Sequence, residues 1–153
     1  MQLPRLLVIT LVAFTLTACG SSPKVVTKAQ YEREVQRLGQ DLTDAGSQLG
    51  QSIDIATFNG NVDNLKEHLE EAADDLRGLK PPPNARSANE QLAGSLDGFA
   101  YQLDDVKEAR RESIFKAREA LEQVSKSEPV RQARAATRRL KRLGYDIGQF
   151  GAL

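Results

Sequence analysis

Apolar residues recur every three, four or seven positions along four segments of this chain, and no stretch alternates polar and apolar residues for the length of a strand. A period near 3.6 places such residues on one face of a helix, whereas a half-buried strand needs a period of two. The pattern restricts the fold to packed amphipathic helices. Composition agrees, because aromatic residues are only 5% of the chain, tryptophan is absent, and leucine, alanine, glutamate, arginine and glutamine are plentiful.

Thr27 reads as the N-cap of the first helix. Gln30 completes a capping box, and Val26 and Tyr31 flank it as a hydrophobic staple. Tyr31, Val35, Leu38, Leu42, Ala45, Leu49 and Ala56 then draw a stripe to about Thr57, and Asn59-Gly60-Asn61 is expected to break it. A second helix is expected from about Val62, with Leu65, Leu69, Ala72, Leu76 and Leu79 on its apolar face. It stops at Pro81-Pro82-Pro83, since proline disfavours helix in the residue before it. Ser87 with Glu90 forms another capping box, in competition with Asn84, ahead of the longest helix. The stripe of that helix runs from Leu92 through Leu96, Phe99, Leu103, Val106, Ile114, Ala117 and Leu121 to Val124. Ser127-Glu128-Pro129 opens a fourth helix, with proline in the first turn where its missing donor does no harm, and the helix is expected to end near Gly148. The expected fold is all-α, an antiparallel bundle of about four amphipathic helices joined by short connections. Three helices with a bent or docked fourth is the alternative arrangement.

The amino terminus follows a different logic. Met1 to Arg5 is weakly basic, and Leu6 to Leu16 is an unbroken apolar and threonine run that ends in small residues and Gly20-Ser21-Ser22-Pro23. A spanning helix needs roughly 20 apolar residues, so this shorter run reads as a signal-peptide core. Leu16-Thr17-Ala18-Cys19 resembles the lipobox of bacterial lipoproteins. The body loosely resembles the small helical lipoproteins of bacteria, so the resemblance covers the signal and an all-helical domain and brings no functional motif. It implies cleavage between Ala18 and Cys19, a diacylglyceryl group and an N-acyl chain on Cys19, and a place on the extracytoplasmic face of the cell membrane. Gly20 stands where aspartate favours inner-membrane retention in two-membrane bacteria, so onward sorting stays open. Two chains, at about 0.8 kcal/mol per buried methylene, hold a protein durably where one holds it marginally. The implied organisation is a signal peptide over 1–18, a lipidated tether over 19–26 and a helical-bundle domain over 27–153. A tether of that length reaches at most roughly 28 Å, which keeps the body and any partner close to the membrane.

Lys and Arg total 21 and Asp and Glu total 21, so no global field argues for a nucleic-acid partner. Local distribution matters more. On the fourth helix Arg131, Arg134, Arg138, Arg139, Lys141 and Arg142 fall opposite Ala133, Ala136, Leu140, Leu143, Ile147 and Phe150. This basic face is a candidate contact for anionic lipid or acidic wall polymer. Alternatively it is solvated, or it faces the second helix, where Asp63, Glu67, Glu70, Glu71, Asp74 and Asp75 outnumber Lys66 and Arg77.

Gly94, Gly98 and Tyr101 project almost opposite Leu92, Leu96 and Phe99, which makes them a candidate docking face. The alternatives are a third helix buried on two sides, or a bend. Gly39, Gly46 and Gly50 lie beside the leucine stripe of the first helix, as close helix approach would require. His68 is the only histidine, and its i,i+3 pairing with Glu71 lacks the further ligands a metal site needs, so no metal is expected. Nucleophile elbows, phosphate-cradling glycine loops and zinc spacings are missing. The reading is a non-enzymatic, lipid-anchored cell-envelope protein, without a cofactor beyond its covalent lipid, whose bundle binds an envelope protein or polymer near the membrane. Two other classes stay open, a carrier or sensor of an apolar ligand held between the helices and an electrostatic surface binder.

Overall fold

The computed structural model describes residues 25–52, 54–148 and 150, all of whose regular structure is helical. Ala18 and Cys19 lie outside the described residues, as does most of the tether. Helix α1 (Lys28–Gly50) begins as its sequence dictates. The Thr27 hydroxyl accepts from the Gln30 amide at 3.2 Å, and the Thr27 amide donates back to Gln30 Oε1 at 2.9 Å. Its stripe from Tyr31 to Leu49 is buried.

Helix α2 (Ile55–Gly78) starts earlier than expected and carries Asn59-Gly60-Asn61 inside it. The break falls instead just after Gly50. Asp54 caps the new helix, accepting from the Thr57 amide at 2.9 Å and the Thr57 hydroxyl at 2.7 Å. Burial of Phe58 and Val62 offsets the roughly 1 kcal/mol that Gly60 costs a helix. Asn61 then donates to the Gln48 carbonyl at 2.8 Å and ties α2 to the end of α1. Ala56, assigned to the first stripe, lies exposed in α2.

Helix α3 (Arg86–Glu112) follows the prolines, but neither Ser87 nor Asn84 caps it. Both side chains are engaged elsewhere, Ser87 by Arg139 and Asn84 by the Tyr145 hydroxyl. The helix also stops at Glu112 rather than continuing to Val124. Ser113 is extended, with φ −169° and ψ 162°, and reverses the chain into α4 (Ile114–Ser125), whose first turn it caps through Lys116 N at 3.1 Å. Ala117 and Val124 still face the core after the reversal. The stripe keeps its phase through the turn, so periodicity alone cannot reveal it.

Helix α5 (Glu128–Arg142) continues in the direction of α4, with Pro129 in its first turn. The result is four rods built from five helices, the fourth rod being α4 and α5 end to end. Contacts between neighbouring rods run antiparallel: Arg37 with Asp75 and Gln48 with Asn61, Lys66 with Asp104 and Arg77 with Asp97, and then Gly98 with Pro129 and Ser87 with Arg139. Thus α1 packs on α2, α2 on α3, and α3 on both α4 and α5.

The last helix ends at Arg142, six residues short of the expected Gly148. Gly144, at φ +82°, takes the left-handed position of a Schellman cap: its amide reaches the Lys141 carbonyl at 3.0 Å, and the Tyr145 amide reaches that of Leu140 at 3.1 Å. Ile147 and Phe150 are buried by a tail that folds back along α1, not by a helical face. The Tyr145 ring meets Tyr31 edge-on at 5.4 Å, Glu32 accepts from the Asp146 amide at 2.8 Å, and Gln36 donates to the Asp146 carbonyl at 2.9 Å. Phe150 reaches Gly39, where a Cβ would lie 2.8 Å from Phe150 Cδ2. Gly39 therefore admits the tail rather than a neighbouring helix. Gly144→Ala is expected to cost about 1 kcal/mol, because a β-carbon is strained in the left-handed region. A urea midpoint unchanged from the parent protein would contradict the assigned cap.

Candidate functional site

The beginning of α1, the end of α2, the beginning of α3 and the end of α5 meet at one end of the bundle. The Val26 amide donates to the Lys80 carbonyl at 2.9 Å, Lys28 Nζ stands 5.6 Å from the centre of the Tyr145 ring, and Arg139 donates to Ser87 Oγ at 3.1 Å. The chain preceding the bundle therefore enters beside the most basic turn of α5. Lys80, Arg86, Arg138, Lys141 and Arg142 are exposed there and make no ion pair among the described residues. Two apolar side chains accompany them, Val25 at 42% and Leu143 at 39% exposure. A groove of about 480 Å³ lies between Arg77, Lys80, Pro81, Arg86 and Glu90.

All six predicted cations of α5 are exposed. Arg131 is held by Glu128 and by the Lys126 carbonyl, Arg139 by Ser87, and Arg134 is also engaged. The acidic second helix does not meet this face. Because α5 packs on α3, charged groups of α2 pair with α1 and α3 instead: Asp75 with Arg37 at 2.8 Å, Asp63 with Lys107 at 2.5 Å, and Lys66 with Asp104 at 2.7 Å. Hydrogen bonding to Asp104 raises the pKa of Lys66. These exposed pairs are worth about 0–1 kcal/mol each and set register more than stability.

The expected docking trio is divided. Gly98 packs beneath Pro129, where a Cβ would lie 2.8 Å from Pro129 Cγ, so its small size serves the contact between α3 and α5. Gly94 is open to solvent, and Tyr101 is 76% exposed beside Lys66, Glu70, Asp74 and Asp97. His68 stands 3.7 Å from Glu71, and no cluster of three metal-ligating side chains occurs among the described residues.

Inside the bundle, a short chain of polar side chains links three helices. The Tyr31 hydroxyl donates to Asn89 Oδ1 at 3.1 Å, and Asn89 Nδ2 donates to the Leu76 carbonyl at 2.6 Å, joining α1, α3 and the end of α2. Burial, followed by the neighbouring Tyr145, pushes the Tyr31 phenol well above its usual range, so it stays a donor at any physiological pH. The apolar gap among Leu96, Phe99, Val130, Ala133 and Phe150 holds only about 20 Å³. That is space for roughly one water molecule, far below the several hundred Å³ of a ligand pocket.

Lys28, Lys80, Arg86 and Val25 escape the sequence reading, and Leu143, expected on the apolar face of the fourth helix, is exposed instead. Lys80 and Arg86 bracket the prolines, a visible cue, but their proximity to α5 depends on helix order, which periodicity does not encode. No helix among the described residues is long and apolar enough to cross a membrane. No family model, curated protein or solved structure matches the chain.

Proposed function

We propose that this protein is a non-enzymatic lipoprotein of the bacterial cell envelope, held by lipid on Cys19, whose helical bundle binds a protein or polymer partner close to the membrane. The observation that carries the reading is Leu16-Thr17-Ala18-Cys19 at the end of an eleven-residue apolar and threonine run. The shape of the body is consistent with it. From Cys19 to Val25 the chain spans at most roughly 21 Å, so the end bearing Lys80 and Arg142 lies nearest the bilayer. The outer face of α3 around Tyr101 remains the docking surface, since a tyrosine buries much area with few rotors. The gap of about 20 Å³ argues against an apolar ligand carried within the bundle.

Cys19→Ala is expected to move the protein from the membrane fraction to the soluble fraction, because the thiol is the only attachment point for the diacylglyceryl group. Fractionation checks this, and an unchanged membrane association would count against the anchor. Photo-crosslinking from position 101 in cells then tests the partner. One discrete adduct made by the lipidated protein and weakened in Cys19→Ala supports the proposal, whereas diffuse labelling contradicts it.

A further inference from the structure

We infer that the bundle stands end-on on anionic lipid headgroups, seated through the last turn of α5 and the start of α3. This rests on the anchor proposed above and adds an orientation and a lipid chemistry to it.

Three observations converge on that end. The five cations Lys80, Arg86, Arg138, Lys141 and Arg142 are exposed without ion pairs among the described residues, whereas Arg37, Lys66 and Arg77 find carboxylates on neighbouring helices. Leu143 and Val25, both partly exposed, stand among them as apolar groups that can enter the headgroup region. The third is connectivity, since Val26 is hydrogen-bonded to the Lys80 carbonyl and the tether must leave from the same end. An anionic bilayer answers this set of groups better than a soluble polymer does. It presents phosphates in a plane within reach of the tether, and it offers the apolar boundary that Leu143 and Val25 need. Each cation near such a surface strengthens association several-fold, and the effect fades within a Debye length, about 8 Å at physiological salt.

Seating directs the opposite end, where Phe115 and Ile55 are 76% and 57% exposed, away from the bilayer. With α3 at 27 residues, that end stands about 40 Å above the headgroups.

The chain lacks tryptophan, which supplies a clean probe. Leu143→Trp and Phe115→Trp versions of the native protein, purified from membranes, are mixed with vesicles of brominated phosphatidylcholine with and without phosphatidylglycerol. On anionic vesicles the Leu143→Trp emission is expected to shift to the blue and be quenched, and high salt reverses both. Phe115→Trp emission stays unchanged. Combining Arg138→Glu, Lys141→Glu and Arg142→Glu removes the quenching, weakening the seated state by at least roughly 100-fold.

Intact mass of each preparation reports the anchor separately. Lipidated protein whose Leu143→Trp emission ignores phosphatidylglycerol overturns the seat alone. Unlipidated protein that is still quenched on anionic vesicles upholds the surface and overturns the anchor. Unlipidated protein that is not quenched overturns both. Emission that responds to soluble polyglutamate and not to vesicles assigns the face to a polymer and overturns the inference.

Discussion

Asn89→Leu is expected to destabilise the bundle by about 3 kcal/mol, although leucine nearly matches asparagine in size and suits a position that is 2% exposed. The loss comes from the groups left behind. Asn89 accepts from the Tyr31 hydroxyl and donates to the Leu76 carbonyl, so its removal strands a buried donor on α1 and a buried acceptor at the end of α2. Each stranded group costs roughly 1–3 kcal/mol of uncompensated desolvation. Urea unfolding should show a lower midpoint with an unchanged slope. Adding Tyr31→Phe to Asn89→Leu should recover part of the loss, because the orphaned hydroxyl disappears with its partner. A loss below about 1 kcal/mol would mean that water reaches these groups and that the network does not fix the register of α1, α2 and α3.

Phe150→Ala should cost about 3–5 kcal/mol, the range for emptying a buried aromatic site. Phe150 is 3% exposed and fills the space between Gly39 of α1 and the Leu96, Phe99 and Val130 side chains. It fills the side of the bundle between α1 and α5. Gly39 provides a sharper version of the test. Alanine is favoured over glycine inside a helix by roughly 1 kcal/mol, yet a Cβ at position 39 would lie 3.1 Å from the Phe150 backbone as well as 2.8 Å from its ring. Gly39→Ala should therefore destabilise the parent protein, and do so less in the Phe150→Ala variant, where the ring contact is gone while the contacts with the Cβ and backbone of residue 150 remain. The smaller cost in the variant, read as a coupling energy in a double-mutant cycle, is the expected signature of direct contact. Additive effects would place the tail elsewhere.

The fold class and most of the core were legible because burial follows helical period: Tyr31 to Leu49, Val62 to Leu76 and Leu92 to Val106 all face inward. The Thr27–Gln30 capping box and the proline stop were legible because each is a short-range device with one geometric outcome. Turns were read less well. Asn59-Gly60-Asn61 looks like a breaker in isolation, but Asp54 caps a helix ahead of it and Phe58 anchors that helix to the core. Ser113 reverses the chain within one residue without interrupting the apolar phase, so the stripe continues into α4 as though the helix had not ended. Ile147 and Phe150 match helical spacing by coincidence, while Gly144 beyond a basic last turn carried the true stop signal. The cations of α5 were legible as one side of the helix, and the structure leaves that side exposed. Their companions Lys80 and Arg86 were not, because only the pairing of α5 with α3 brings the start of α3 beside them.

Membrane attachment through Cys19 underlies both the functional proposal and the end-on orientation. Intact-mass measurement of the native protein extracted from membranes, with fragmentation of its amino-terminal peptide, tests it most directly. A chain beginning at Cys19 that carries a diacylglyceryl group on sulfur and an acyl group on nitrogen is the expected result. A chain retaining residues 1–18, or a Cys19 with a free thiol, would contradict it.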